Sequence, residues 1–396
     1  MLFPKKLTGL FAIAGIVLSS SSASAFDVIA HRGVFHDVND SKALPENSFG
    51  ALTRAYDLGI KGVELDLRLD ASGGVIVTHD MITNRATKKD GASGAMNPVE
   101  IALNLQKAPS PIWFNTIRPS QLDELYLKIY GRNGKLLSNF SPDTASTVLE
   151  LRDMLSRVKS RRPDIASNRY FMIILDVQDN RILTAAASIV RSLQMTNNVY
   201  LKFFASKALS NEARYAYNGA DTCYNYAKMN NLSYVKIIPQ INDGELDIYD
   251  DNNLGVYAFG RTLPIDTYLQ CWADAQAQHG DAAQMPIVSA SVPAQDIRAT
   301  AGALQAINWA QSHGRKTMTI VPNPDAGRKI SGTCRLFSFQ STRVGAVSFS
   351  MEARKAKADF AANSRVRPDY IVWDVMGNAD AKKWDTNFDR FTANLC

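Results

Sequence analysis

The feature that most constrains the fold is a regular alternation of short apolar segments with amphipathic segments of helical periodicity. The strand candidates share an apolar, often β-branched composition, and they are Val28–Ala30, Val63–Leu69, Val75–Thr78, Tyr170–Val177, Val199–Ala205, Val235–Ile238, Ile287–Ala290, Met318–Val321 and Tyr370–Val375. The helical candidates repeat apolar residues every three or four positions, and they are Asn47–Leu58, Ser146–Val158, Ile182–Leu193, Pro264–Ala277 and Gln295–Gln311. Repeated strand–helix units favour a mostly parallel sheet. Eight or nine strands, with no dinucleotide-type glycine fingerprint after the first, favour a (β/α)8 TIM barrel over an open doubly wound sheet.

One long stretch fits this alternation poorly. Residues 81–144 are rich in Gly, Asn, Pro and Ser, and long irregular segments of compact domains are usually functional or form a small subdomain. We interpret 81–144 as an insertion after the second barrel strand region. It is expected either to cover the active site or to decorate the surface. A second irregular stretch, 323–349, is a further candidate excursion.

The N-terminus has the parts of a secretory signal. Two lysines precede an apolar run, Leu7–Leu18, and a Ser-rich segment ends in an A-x-A site at Ala25. The apolar run is shorter than the roughly 20 residues that a bilayer span needs, which disfavours the alternative of a membrane anchor. The sequence therefore predicts a signal peptide at 1–25, a mature domain at 26–396, export to the periplasm or the medium, and no stable membrane span.

Composition limits the partners of the chain. Its 46% hydrophobic content excludes an intrinsically disordered protein. The 44 basic and 38 acidic residues are mostly interspersed and give a net charge of +6. This mild excess suits a small anionic substrate, and we expect no nucleic-acid partner. The sequence does not indicate an oligomeric state.

Export would place the cysteines in an oxidising compartment. Cys223, Cys271, Cys334 and Cys396 form no C-x-x-C spacing, so we expect one or two disulfides instead of a metal site. Four cysteines allow three pairings, and the spacing does not choose among them.

Histidines end two of the strand candidates. His31-Arg32-Gly33 follows the first strand, and His79 follows Val75–Thr78. In a barrel, strand C-termini form the catalytic rim, and histidine is suited to proton transfer near neutral pH. His31 and His79 are therefore candidate catalytic residues, and Gly33 permits a turn with unusual dihedral angles.

Between them, a strictly alternating segment supplies carboxylates. Period two places Glu64 and Asp66 on one face of Val63–Leu69, about 6.6 Å apart along the strand. Two carboxylates at this spacing can bind one hard cation such as Ca²⁺ or Mg²⁺. The alternative is an edge strand with a solvated charged face.

Glu46 precedes the first helical candidate. A carboxylate there either stabilises the helix N-terminus or belongs to a site. Asn47 and Ser48 are both suitable N-caps for that helix.

The order H-R-G, P-E-N, E-x-D and H-D within Val28–Asp80 resembles the glycerophosphodiester phosphodiesterase family. That family is a TIM barrel that hydrolyses glycerophosphodiesters with a divalent cation. The resemblance implies an acid–base pair, a phosphate-binding arginine, metal ligands and a site glutamate. His31 and His79 match the acid–base pair, and Arg32 matches the phosphate-binding arginine. Glu64 and Asp66 match the metal ligands, and Glu46 matches the site glutamate.

Later landmarks depart from the family pattern. Where the family has E-x-K at the end of a strand, this chain has Asp176-Val177-Gln178. Asp176 could serve as the third metal ligand with a shorter arm, whereas Gln178 cannot supply the positive charge. Lys202, in the next strand candidate, would replace that charge if its side chain faced the barrel mouth. The final strand keeps its acidic end at Asp374.

These residues and this resemblance together predict an exported metal-dependent phosphodiesterase. It would hydrolyse glycerophosphodiester-type substrates to glycerol 3-phosphate and an alcohol, with one Ca²⁺ or Mg²⁺ bound by carboxylates. One alternative is a sphingomyelinase D-like phosphodiesterase acting on lysolipid-type substrates, because that group carries Asp in the position of Asp176. The other is a catalytically decayed barrel that acts as a binding protein, favoured by the missing lysine at Gln178.

Overall fold

The computed structural model describes residues 26–37, 39–81, 83, 86–89, 112–129, 137, 146–209, 217–241, 246–248, 254–291, 297–320, 326–330, 333–339, 346–350, 368–375 and 377. The predicted signal peptide, 1–25, lies outside the described residues, as does much of the predicted insertion.

Strands and helices alternate along the described chain. The strands are β1 (Asp27–His31), β2 (Gly62–Leu69), β3 (Val75–Val77), β4 (Thr87–Lys89), β5 (Leu125–Leu127), β6 (Met172–Val177), β7 (Val199–Phe204), β8 (Lys236–Ile241), β9 (Leu246–Ile248), β10 (Leu254–Ala258), β11 (Arg261–Pro264), β12 (Ile287–Ser291), β13 (Lys316–Ile320), β14 (Ala326–Ile330), β15 (Thr333–Phe339), β16 (Ala346–Ser350) and β17 (Tyr370–Trp373). The α-helices are Phe49–Asp57, Leu151–Arg161, Pro163–Ser167, Asn180–Ser192, Ala205–Ala208, Ala220–Met229, Ile265–Gln278 and Ile297–Ser312. Short 3₁₀ helices lie at Asp40–Lys42, Phe114–Thr116 and Pro119–Glu124.

Eight of these strands close into a parallel barrel, which confirms the predicted (β/α)8 fold. Their order is β1-β2-β6-β7-β8-β12-β13-β17, and β17 pairs with β1 to complete the ring. Every neighbouring pair in the ring is parallel. The order around the barrel follows the order along the chain.

One of the nine strand candidates, Val75–Thr78, is not a barrel strand. As β3 it pairs antiparallel with β2 and extends the sheet outside the ring. The connection between the two strands is only 70–74, which is too short for the crossover that a parallel neighbour needs. Asp70 stabilises this turn, because its side chain accepts hydrogen bonds from the backbone N–H groups of Ser72 and Gly74, both at 2.8 Å.

Strand periodicity divides the core into an inner and an outer layer. The lumen is filled by one apolar cluster, comprising Ile29, Met172, Ile174, Tyr200, Ile238, Ile287, Met318 and Val372. Residues of opposite parity pack outward against the helices. Gly62 of β2 also faces the lumen, since a Cβ there would lie 3.2 Å from Ile29 Cδ1. Side chains two positions further along each strand therefore point into the same lumen, nearer its C-terminal mouth.

The described part of the insertion forms a small structured layer on β3. Phe114, Ile117, Leu122, Leu125 and Leu127 pack with Ile76 of β3 and with Val148 in a separate apolar cluster. Strands β4 and β5 pair within it. Phe114 donates its backbone N–H to the Met81 carbonyl at 2.9 Å, so this layer is joined to the chain just after His79. Whether 81–144 is a separate inserted unit stays a prediction.

The helix predicted over Ser146–Val158 begins later, at Leu151. The residues before Leu151 do not join the helix, because Thr147 forms a β-bridge with Tyr126 and Glu150 forms one with Ile76. Two three-stranded antiparallel sheets were not predicted, β9-β10-β11 and β14-β15-β16. The second spans 326–350 and so covers most of 323–349, where the sequence predicts an irregular excursion.

Cys223 and Cys271 form a disulfide between the helices Ala220–Met229 and Ile265–Gln278. This selects one of the three pairings that the sequence leaves open, and the side chains of Cys334 and Cys396 lie outside the described part. In the described chain, no helix combines the length and the apolar character that crossing a membrane requires.

Removing the disulfide is expected to destabilise the domain. The bond joins residues 48 apart in sequence and restricts the conformations open to the unfolded chain. The loss should be about 2–4 kcal/mol for Cys223→Ser/Cys271→Ser, measured by urea unfolding under non-oxidising and oxidising conditions. Reductant should lower the unfolding midpoint of the wild type towards that of the double variant and leave the variant itself unchanged. Equal midpoints for wild type and variant would contradict the pairing.

Candidate active site

Charged side chains converge on the lumen at the C-terminal ends of adjoining strands. They are His31 on β1, Glu64 and Asp66 on β2, Asp176 on β6, Lys202 on β7 and Asp374 after β17. Four of them follow a residue of the apolar cluster by two positions, whereas Glu64 and Asp66 follow the lumen-facing Gly62 by two and four. All but His31 are buried. In TIM barrels this rim is where catalytic residues lie, so the barrel brings together the residues that the sequence predicted on β1, β2, β6 and β7.

The turn after β1 directs Arg32 into this group. Arg32 and Gly33 both have left-handed backbone angles, with φ of 56° and 83°. A Cβ on Gly33 would lie 2.7–2.9 Å from atoms of Ala51, so glycine is required where the turn touches the helix Phe49–Asp57. The Arg32 carbonyl accepts a hydrogen bond from the Asn47 backbone N–H at 2.9 Å, which fixes the turn against the start of that helix.

Glu46, Asn47 and Ser48 have distinct tasks at this helix start. Ser48 is the N-cap, and its side chain accepts from the Ala51 N–H at 3.1 Å. Asn47, the other cap candidate, instead binds Asp66: its amide nitrogen donates to Oδ2 and its amide oxygen accepts from the Asp66 N–H, both at 3.0 Å. Glu46 lies 3.3 Å from the Arg32 guanidinium and therefore orients the arginine.

Asp66 is held in its ionised form by its neighbours. Burial raises the pKa of its carboxyl, but the positive charges of His79, Arg32 and His31 and the Asn47 hydrogen bond outweigh this and hold the pKa far below its usual range. Arg32 Nε lies 3.2 Å from Asp66 Oδ2. Asp66 is consequently a carboxylate at any physiological pH, with both predicted histidines within its field.

Lys202 is a fully buried cation between two other carboxylates. Its Nζ lies 2.7 Å from Glu64 Oε1 and 3.2 Å from Asp176 Oδ1. Burial lowers the pKa of Lys202, but Asp176 and Glu64 outweigh this and raise the pKa above its usual value. Burial raises the pKa of Glu64, and Lys202 opposes that shift. Lys202 thus faces the barrel mouth and carries a positive charge where Gln178, beside Asp176, cannot.

His31 is held by a carboxylate from the last strand of the barrel. Its Nδ1 lies 2.7 Å from Asp374 Oδ1, and its Nε2 lies 4.0 Å from Glu64 Oε2. Burial lowers the pKa of His31, but the attraction of Asp374, its hydrogen bond and Glu64 raise the pKa above the usual value. The bond fixes the ring so that Nε2 points towards the acidic group.

His79 has a similar arrangement and follows Thr78, whose backbone N–H donates to the Asp66 carbonyl at 3.0 Å. Its Nδ1 lies 2.8 Å from Asp80 Oδ1. A carboxylate on Nδ1 leaves Nε2 as the nitrogen for proton exchange. In both histidines, therefore, a carboxylate contacts Nδ1, and Nε2 is the nitrogen left for proton exchange.

Sequence reasoning missed the supporting residues Asp374, Asp80 and Asn47. Their signals were present, as an acidic end of the last strand, the second half of the H-D pair, and the amide of the P-E-N element. Only closure of β17 on β1 shows that Asp374 meets His31.

The acidic residues of β2 and β6 fit a hard cation. Glu64, Asp66 and Asp176 are buried and offer oxygen atoms within 4.8 Å of one another. Among the described residues, Glu64 Oε2 and Asp176 Oδ1 accept no hydrogen bond, although Lys202 lies beside the second. Buried carboxylate oxygens without donors are costly unless a cation or another donor compensates them. An all-oxygen set is the kind that Ca²⁺ or Mg²⁺ prefers.

Comparison with known proteins identifies the family of the chain. The model of the "Glycerophosphoryl diester phosphodiesterase family" matches residues 31–285. The chain belongs to this family. Asp374 lies beyond the matched residues.

Individual relatives are similar over shorter stretches. The chain is 45% identical over 64 residues to a glycerophosphodiester phosphodiesterase of Caldanaerobacter subterraneus, covering 16% of this chain and 24% of that protein. It is 41% identical over 63 residues to glycerophosphodiester phosphodiesterase 1 of Bos taurus, covering 16% and 17%. The alignments thus span about a quarter or less of these relatives. A crystal structure of a glycerophosphoryl diester phosphodiesterase from Parabacteroides distasonis has 12% identity and a TM-score of 0.48, covering 91% of this chain and 86% of that one.

Replacing Asp374 by asparagine is expected to lower the pKa of the His31 imidazole, because a negative charge 2.7 Å from Nδ1 is removed. The variant would lose its His31 proton at a lower pH than the wild type. An NMR titration of the imidazole resonances in metal-free protein measures this, with His313, stacked on Trp309, as the internal control. An unchanged His31 pKa would show that Asp374 does not control the ring.

Proposed function

We propose that the protein is an exported, metal-dependent glycerophosphodiester phosphodiesterase that releases glycerol 3-phosphate and an alcohol. The observation that carries the proposal is the convergence of two carboxylate-oriented histidines, three buried acids and two buried cations at one barrel mouth. Membership of the family supports the same reaction class.

Binding of the phosphate rests on the cations. Arg32 presents a planar guanidinium that can contact two phosphate oxygens, and Glu46 and Asp66 hold it in place. Lys202 adds a charge from β7. The anionic phosphodiester would thus be held beside the acids and between the histidines.

Proton transfer is assigned to the histidines. One would take the proton of the attacking hydroxyl, and the other would protonate the leaving alcohol, with each transfer typically contributing 10²–10⁴-fold. Asp374 and Asp80 keep the reactive Nε2 atoms directed. The attacker is either water or a hydroxyl of the substrate, which would give a cyclic phosphate first.

Glu64, Asp66 and Asp176 would hold the divalent cation. When bound, Ca²⁺ or Mg²⁺ supplies positive charge that stabilises the negative charge developing on the phosphoryl oxygens. Oxygen-only ligands suit both ions. We favour Ca²⁺ because it tolerates irregular coordination and is abundant outside cells.

Export is supported by the charged start, apolar run and A-x-A site of residues 1–25. The disulfide Cys223–Cys271 is consistent with it, since such bonds persist in oxidising compartments. A small phosphodiester remains the expected substrate class.

The sphingomyelinase D-like alternative is favoured by one observation, an aspartate at position 176 where the glycerophosphodiester pattern has glutamate. Both activities cleave the ester between the phosphate and the head-group alcohol, but they act on different substrates. Choline released from lysophosphatidylcholine or sphingomyelin would indicate the alternative, whereas glycerol 3-phosphate from glycerophosphodiesters would indicate the proposal.

A substrate panel with and without chelator tests the proposal. We expect the wild type to release glycerol 3-phosphate from glycerophosphocholine, to lose this activity in EDTA and to recover it with Ca²⁺ or Mg²⁺. His31→Ala should lower kcat by about 10²-fold or more, while His313→Ala, on a peripheral helix end, is the matched control and should retain kcat. Activity that survives both EDTA and His31→Ala would contradict the mechanism, and ligand binding without turnover would indicate a binding protein.

The position of the lysine charge gives a second test. Lys202→Gln is expected to lower kcat/KM by about 10²-fold, because it leaves Glu64 and Asp176 without their shared cation and removes a phosphate contact. The exchanged double variant Lys202→Gln/Gln178→Lys should regain at least about tenfold, since it restores a lysine beside Asp176. Wild-type kcat/KM in the single variant would exclude Lys202 from the site, and no regain in the double variant would show that the charge works only from β7.

A further inference from the structure

The half of the lumen opposite the charged residues carries two buried polar side chains that the mechanism does not use. Gln240 on β8 and Ser289 on β12 have exposed fractions of 2% and 0%. Within the described chain, Gln240 Oε1 and Ser289 Oγ have no hydrogen-bond partner. Burying a polar atom without a hydrogen-bond partner is unfavourable, so these atoms call for an explanation.

Their position in the strands places both side chains inside the barrel. Ile238 and Ile287 belong to the apolar cluster of the lumen, and Gln240 and Ser289 follow them by two residues. Period two therefore directs Gln240 and Ser289 into the same lumen, one layer nearer the mouth. The two residues are also directly paired in the register of β8 and β12, so their side chains are neighbours on one wall.

This wall adjoins the charged half of the mouth. In the register of β7 and β8, Lys202 pairs with Ile238, and Phe204 pairs with Gln240. Gln240 is thus one strand away from Lys202, whose Nζ contacts Glu64 and Asp176. A group attached to a phosphate bound at Arg32 and Lys202 could extend along the lumen to Gln240 and Ser289.

The chemistry of the pair suits hydroxyl groups. A glutamine amide offers a carbonyl acceptor and two N–H donors, and a serine hydroxyl both donates and accepts. Adjacent hydroxyls on a three-carbon alcohol can donate to Gln240 Oε1 and exchange a hydrogen bond with Ser289 Oγ. A quaternary ammonium has no such donors, and neither residue provides the aromatic face that favours it.

We propose that Gln240 and Ser289 form the hydroxyl-recognition subsite of the barrel and select substrates whose phosphate carries a glycerol group. This inference rests on the proposed function and adds the residues that determine its specificity. Recognition by buried polar atoms discriminates strongly, because a ligand that lacks the hydroxyl leaves those atoms unpaired.

Binding of glycerol 3-phosphate and propyl phosphate, which differ only in the two hydroxyls, tests the subsite without requiring turnover. Calorimetric titration of the Ca²⁺-supplemented full-length mature protein should give a Kd at least about tenfold lower for glycerol 3-phosphate. Gln240→Leu and Ser289→Ala should each reduce this ratio at least about fivefold. Because the replaced atoms have no partner among the residues that the structure describes, both variants should keep or raise the thermal midpoint, unlike loss of a structural hydrogen bond.

Thr319→Val is the matched control. Thr319 is equally buried and its Oγ1 likewise lacks a partner among the described residues, but it alternates with the lumen-facing Met318 and therefore points outward. Its variant should keep the wild-type Kd ratio.

Each outcome bears on the subsite. Equal Kd values in the wild type, or a ratio unchanged in both variants, would overturn the inference and indicate that solvent satisfies these atoms. Should either variant fail to fold, the other still decides the test. Hydrolysis of glycerophosphocholine, measured in parallel, separates the two proposals: hydroxyl preference without turnover contradicts the proposed function alone, and turnover without hydroxyl preference contradicts the subsite alone.

Discussion

Mutual compensation of buried charges is the interaction on which this barrel mouth depends. Transferring a single carboxylate or ammonium from water into a protein costs several kcal/mol unless partners compensate it. Glu64, Asp66 and Asp176 are buried together, and Lys202 and Arg32 lie against them within 2.7–3.2 Å. The cations do not satisfy every oxygen, because Glu64 Oε2 accepts no hydrogen bond from the described residues. Glu64 Oε2 is therefore available to bind a divalent cation or to accept a hydrogen bond from the substrate.

The parallel barrel explains why this set can assemble from distant parts of the chain. Closure brings β17 beside β1, so that Asp374 and His31, 343 positions apart, share a hydrogen bond. Because every barrel strand runs in the same direction, each contributes its C-terminal residues to one rim. The apolar cluster beneath the rim supports them from below. The charged residues then occupy one arc of the mouth, and the neutral polar pair Gln240 and Ser289 occupies another.

Much of the fold and of the charged arc could be predicted from sequence, for identifiable reasons. Apolar runs with helical segments between them gave the eight barrel strands because both patterns are local. The local Val63–Leu69 alternation likewise placed Glu64 and Asp66 on one face. The strand β3 was predicted, but its composition matches that of a barrel strand, so the choice between eight and nine barrel strands stayed open. Only the short connection 70–74 excludes β3 from the ring. The β14-β15-β16 sheet was missed because antiparallel pairing depends on partners that periodicity does not identify.

The partners of the site residues were harder to predict, since a contact between distant strands leaves no local pattern. Asp374 has the sequence signal of any acidic residue that ends a strand. The function of Asn47 was ambiguous, because Asn and Ser are both good N-caps; only the structure shows that Ser48 takes the cap and leaves Asn47 to Asp66. Gln240 and Ser289 could not be singled out, because isolated polar residues in apolar strands acquire meaning only when the lumen-facing parity of each strand is known.

Lys202 lies where it can supply the positive charge that the sequence pattern lacks at Gln178. Asp176 and Lys202 are register partners on β6 and β7, and adjacent strands are about 4.8 Å apart. A lysine side chain is long enough to cross that distance, so a cation anchored on β7 can reach the oxygens that a cation two residues beyond Asp176 would reach from β6. Gln178 follows Asp176 by two residues, and its amide donates to Asp176 Oδ2. Asp176 thereby has one oxygen bound by a neutral donor and the other beside Lys202, an arrangement that orients the carboxylate.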